Sequence, residues 1–119
     1  MKKSIITTRI FILIGILFCN SIYAQKTKND TVFIKTSAEC EQCKNRIEKA
    51  LIFEKGVKDV HVDYKTKIAM VIYNKEKTNP EKIRTVISKI GYDADDVKAE
   101  EKAYKKLPEC CKKEGMKHE

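Results

Sequence analysis

Tryptophan is absent, histidine occurs only at positions 61 and 118, and proline only at 80 and 108. Each scarcity excludes something. Two histidines cannot furnish an imidazole-rich metal site, so transition-metal chemistry must rest on the five cysteines at 19, 40, 43, 110 and 111. With 2 Pro and 4 Gly the chain is neither low-complexity nor collagen-like. No run reaches the roughly 20 apolar residues that a spanning helix needs. The 119 residues suit one domain and exclude a large two-lobed enzyme.

What is present begins with an export pattern over residues 1–24. Lys2, Lys3 and Arg9 form a positive start, Ile10 to Phe18 is a short apolar run, and Ala24 offers a small residue before a cut. The expectation is a signal peptide cleaved near Ala24 and a periplasmic or secreted product. The alternative is a lipid anchor at Cys19, but Phe18 stands where a lipobox has a small residue. Removing 24 residues that hold three basic side chains and no acid leaves 95 residues at net charge +5. Glu is interspersed with Lys and no basic-aromatic stripe is present, which reads as a solvated surface and not as a nucleic-acid site.

Residues 25–30 are a short polar tail. Thr31 to Lys35 is β-branched and aromatic and predicts a strand. Apolar residues at 43, 47, 50 and 51 make one helical stripe within a helix over 40–55, with Gly56 as its C′ residue. Val60, Val62 and Tyr64 alternate with polar partners in a strand over 57–64. Lys65 to Lys67 is a hairpin connection, and Ile68 to Tyr73, apolar on both faces, is a central strand. Asn79 caps a second helix with Pro80 at its first turn. Ile83, Val86, Ile87 and Ile90 are its buried stripe, and Gly91 ends it. Asp95 to Ala99 is assigned as a short edge strand, and 100–119 as a charged tail. The order β-α-β-β-α-β predicts an α+β, ferredoxin-like fold: a four-stranded antiparallel sheet with both helices on one face. One row of the central strand, Ile68/Met70/Ile72 or Ala69/Val71/Tyr73, is then left on the open face.

Cys40-Glu41-Gln42-Cys43 is a CxxC where a loop enters the first helix. Amides and the macrodipole at a helix start favour a negative sulfur. Two thiolates at this spacing can close on one ion, and thiolate selects Cu(I), Zn(II) and similar soft metals. Cu(I) is satisfied by two or three ligands; structural Zn(II) takes four. From the motif alone, a metal site, a redox dithiol and a structural disulfide all stand open.

More of the chain narrows this. Ile47-x-x-Ala50-Leu51, then Gly56-Val57-x-x-Val60-x-Val62, and Ile83-x-x-Val86-Ile87-x-x-Ile90-Gly91-Tyr92-Asp93-Ala94 stand at fixed spacing around the CxxC. Over residues 31 to about 98 the chain resembles the heavy-metal-associated domain family. This is the module of copper chaperones and of the N-terminal arms of metal-pumping P-type ATPases. With its export pattern the layout is similar to that of periplasmic mercury-binding proteins. The resemblance implies Cys40 and Cys43 as metal ligands. It places Tyr92 in the loop near the metal. It implies Cu(I) as cargo, with Hg(II) or Zn(II) as alternatives, and a membrane metal transporter such as an ATPase as partner. It implies a monomer that catalyses no reaction. The chain departs from the family in having Ser37-Ala38-Glu39 where Gly-Met usually precedes x-Cys. Glu39 and Glu41 are expected to raise the thiol pKa values and favour cationic metals.

Cys110 and Cys111 lie beyond the resemblance, in a segment expected to be unfixed by the core. They are auxiliary candidates: one could add a sulfur to Cys40 and Cys43, or the four could pair as disulfides in any of three ways. His118 reads as solvated. Two other functions compete with metal carriage. A thioredoxin-like oxidoreductase would use the same CxxC, but it usually has Trp before the first Cys and a Pro opposite the pair. An interaction module would keep the CxxC oxidised and dock through the open sheet face.

Overall fold

The computed structural model describes residues 27–112. The expected signal peptide with its cut near Ala24, Cys19 and His118 lie outside them. Three strands, β1 (Asn29–Lys35), β2 (Val57–Asp63) and β3 (Ile68–Asn74), form an antiparallel sheet in the order β1-β3-β2. Helix α1 (Glu41–Ile52) joins β1 to β2, and α2 (Pro80–Lys89) follows β3. Two short elements, α3 (Glu101–Lys105) and a 3-10 turn (Glu109–Cys111), complete the chain. The order and sheet are those of a ferredoxin-like α+β unit.

The register explains the core. Ile34 and Val62 both face Ala69, and Val32 and Val60 both face Val71. Alternation places these residues on one face, where Ile34, Val62, Ala69, Val71 and Tyr73 are buried. Ile47 and Leu51 from α1 and Ile83 and Ile87 from α2 share that cluster, so both helices cover the same face. Val60 and Ile90, also expected inside, are half-buried. The open face carries the Ile68/Met70/Ile72 row, with Phe33 exposed beside Met70.

Three expectations need correction. Among the described residues there is no fourth strand. Thr36 makes one isolated bridge to Ala94, and Asp95 exchanges hydrogen bonds with Lys35: its amide donates to the Lys35 carbonyl and its carboxylate accepts from the Lys35 amide. The chain thus reaches the correct edge, but Asp95 adopts φ +53 and a bridge from Ala94 to Val97 folds it back at once. A segment with two Asp and one β-branched residue has little to oppose that turn. Second, α1 stops at Ile52 with Phe53 as its cap, so Gly56 is not its C′ residue. Gly56 instead takes φ +89 in the turn into β2, where a Cβ would come within 2.8 Å of the Lys77 side chain. Third, the segment after residue 99 is fixed: Leu107 and Cys111 are buried in the core cluster.

Helix α2 follows its sequence signals closely. The Asn79 side chain accepts from the Lys82 amide, and Pro80 opens the helix. At the other end the amides of Gly91 and Tyr92 donate to the carbonyls of Ser88 and Ile87, a Schellman closure with Gly91 at φ +100.

Candidate metal centre

The loop between β1 and α1 brings Cys40 to the helix N-cap, in extended backbone, and Cys43 into the first turn. Cys43 belongs to the same stripe as Ile47 and Leu51, and is fully buried with them. Cys40 stays partly open. Their sulfurs are 3.3 Å apart.

The C-terminal segment then arrives on the same point. Cys40 Sγ lies 3.4 Å from Cys110 Sγ and 3.7 Å from Cys111 Sγ, and the last two are 3.9 Å from each other. Cys110 is exposed and donates to Gln42 Oε1 at 3.1 Å, which ties the 3-10 turn to the first turn of α1. Cys111 is buried. All four are free thiols. The two cysteines held as auxiliary are therefore within 0.4 Å of being as close to Cys40 as Cys43 is. A signal for this was present: Ala103, Tyr104, Leu107 and Cys111 form an apolar stripe at helical spacing in an otherwise charged segment. Nothing in the sequence marked Gln42.

Burial by itself would raise the Cys40 pKa. The amide of Cys43, near enough to favour a thiolate without making a capping bond, and the thiols of Cys43, Cys110 and Cys111 outweigh that and lower it to about 7. Glu39 and Glu41 were expected to raise the thiol pKa values; the Cys40 thiol is lowered instead, and neither carboxylate is among the causes. Lys67 Nζ donates to Glu39 Oε1 at 2.8 Å and offsets its charge. Burial, then the neighbouring Cys43, pushes the Cys111 thiol up, and Cys110 is pushed up chiefly by its hydrogen bond with Cys40. The cluster therefore holds one readily ionised sulfur, Cys40, beside Cys110 and Cys111, which hold their protons more tightly.

Tyr92, delivered by the Schellman closure, is fully buried. Its hydroxyl faces the Cys111 and Cys43 sulfurs, close enough to interact with them but without a well-aligned hydrogen bond. The Ser37 hydroxyl accepts from the Asp93 amide at 2.9 Å, linking the loop before the cysteines to the loop that carries Tyr92.

The pattern of the heavy-metal-associated domain matches residues 32–93, just over half of the chain. The chain belongs to the heavy-metal-associated domain family. A copper-exporting P-type ATPase of Staphylococcus haemolyticus (strain JCSC1435) is 39% identical over 82 residues, covering 65% of this chain and 10% of that protein. The chain thus spans about a tenth of that relative's length. The water-soluble region of the P-type ATPase CopA from Bacillus subtilis superposes with a TM-score of 0.54 at 31% identity, over 59% of this chain and 47% of that one. Oxidized MerP from Ralstonia metallidurans CH34 gives 0.54 at 27% identity, over 56% and 93%. Among the described residues of this heavy-metal-associated domain, no helix is long and apolar enough to cross a membrane.

Proposed function

We propose that the chain is an exported carrier or buffer for a soft metal ion, Cu(I) first, which Cys40 and Cys43 hold as cargo. One observation carries the reading. Cys40, whose thiol pKa is lowered to about 7, lies 3.3 Å from Cys43 at the start of a 12-residue helix. A sulfur that ionises near neutral pH is ready to capture a thiophilic ion, and a second sulfur beside it converts capture into chelation. The kinship with copper-exporting ATPases supports copper over other soft ions. The export pattern of residues 1–24 supports a carrier that works outside the cytoplasm.

Delivery follows from the same chemistry. An ion on two sulfurs is passed on one thiolate at a time: each metal–sulfur bond formed to an acceptor thiolate replaces one to Cys40 or Cys43, with no change of oxidation state. Cys40, the more open of the two, is the sulfur an acceptor reaches first. A related metal-binding domain of a membrane ATPase is the acceptor class this implies. Native mass spectrometry of the reduced chain with Cu(I), Zn(II) and Hg(II) in turn tests the reading. One Cu(I) retained per chain is expected. A chain that retains no Cu(I) would sink the carrier reading.

A further inference from the structure

Two sulfurs suffice for an ion that takes two ligands, yet this chain brings four to one place. The sulfurs of Cys40, Cys110 and Cys111 lie within 4.8 Å of one another; Cys43 lies 3.3 Å from Cys40 but not within that distance of all three. Resting on the reading of this cluster as a metal site, we infer that it also takes a four-coordinate dication of the Zn(II) and Cd(II) class, bound by Cys40, Cys43, Cys110 and Cys111 together.

The spacing of the sulfurs is the first support. With metal–sulfur bonds of about 2.3 Å, the edges of a four-sulfur tetrahedron are about 3.8 Å long. The edges among Cys40, Cys110 and Cys111 are 3.4, 3.7 and 3.9 Å. Adjacent cysteines ordinarily diverge. Here the 3-10 turn after Pro108 keeps Cys110 and Cys111 on the same side.

The second support is Tyr92. Its buried hydroxyl faces Cys43 and Cys111 without a well-aligned hydrogen bond. A thiol is a weak acceptor, whereas a metal-bound thiolate is a charged and stronger one. Binding a dication displaces the protons still on the four thiols into solvent and gives the hydroxyl a stronger acceptor. The third support is how firmly the C-terminal segment is seated. Leu107 is in the core, the Glu100 amide donates to the Ser88 carbonyl, and Ala103 backbone passes so close to Gly91 that a Cβ there would approach it to 2.9 Å. Ligands already in place lose less entropy on binding.

The two cargo classes should depend on different sulfurs. Cu(I), satisfied by two or three ligands, gains little from Cys110. A dication that wants four loses its coordination shell without it. The test uses the full reduced chain, the Cys110→Ser variant and the Cys110→Ser/Cys111→Ser double variant. Cys110 is exposed, so its replacement leaves the core untouched even if loss of buried Cys111 disturbs it. Zn(II) and Cu(I) affinities are measured by competition with chelators, and Co(II) serves as a spectroscopic probe of coordination. We expect Cys110→Ser to weaken Zn(II) by more than about 100-fold and Cu(I) by less than about tenfold, since even a group behind the ligands is worth 10–100-fold. The intense visible bands of tetrahedral thiolate-bound Co(II) should fade in the same variant. Equal Zn(II) affinity in the wild type and Cys110→Ser, with Cu(I) still bound, overturns the four-sulfur site and leaves the carrier reading standing. Failure of the wild type to bind either ion overturns both.

Discussion

Cys40 gathers every local influence on the cluster. It stands at the N-cap of α1 and touches the other three sulfurs. Its pKa of about 7 means that roughly half of it is thiolate at neutral pH, while Cys110 and Cys111 keep their protons. A lowered acid pKa makes the reactive form appear earlier as pH rises. Alkylation of the reduced chain with iodoacetamide should therefore modify Cys40 first, with a rate that climbs through about pH 7 and levels off above pH 8. Peptide mapping checks this. A midpoint near 9, or Cys110 modified first despite its exposure, would contradict it. The CxxC and its place at a helix start were legible in the sequence, because motif and periodicity are local. The Glu39–Lys67 pair was not, since it joins residues on different elements whose approach depends on the β2–β3 hairpin.

At the scale of elements, Gly91 ties the fold to the site. Its φ of +100 closes α2, turns Tyr92 inward, and its missing side chain admits the backbone of α3. Gly91→Ala meets both obstacles, a left-handed backbone and a contact of 2.9 Å with main-chain atoms that cannot rotate away. We expect a loss of about 1–3 kcal/mol in urea unfolding, above the ordinary cost of forcing Ala into an incompatible conformation. An unchanged midpoint would show that α3 is not seated against α2. The helices and three strands were legible because apolar period and cap residues agree in each. The fourth strand was misread because Val97 and its neighbours suggested a strand while Asp95 supplied a turn. Only the side-chain and backbone bonds to Lys35 and Thr36 decide between them.

For the whole molecule, one sheet face and two helices make a core that ends at the metal loop, and the C-terminal segment covers that end. This closure was the least legible feature. The apolar stripe of the segment is local, but where Cys111 docks is set by Cys40, 71 positions earlier, which no local pattern reports. The open face, with Phe33 beside Met70, is the remainder of an amphipathic sheet whose other side is filled. The proposed metal binding rests on sulfur at one point, and Cys40 lies within 3.7 Å of the other three. Its partial exposure makes replacement by serine tolerable to the fold. The most direct measurement is a competition titration of reduced wild type and Cys40→Ser against a Cu(I) chelator, with far-UV circular dichroism to confirm that both are folded. Loss of the chelate should weaken Cu(I) by at least about 100-fold, the equivalent of about 2.7 kcal/mol. A folded Cys40→Ser chain that holds Cu(I) as tightly as the wild type would contradict the account.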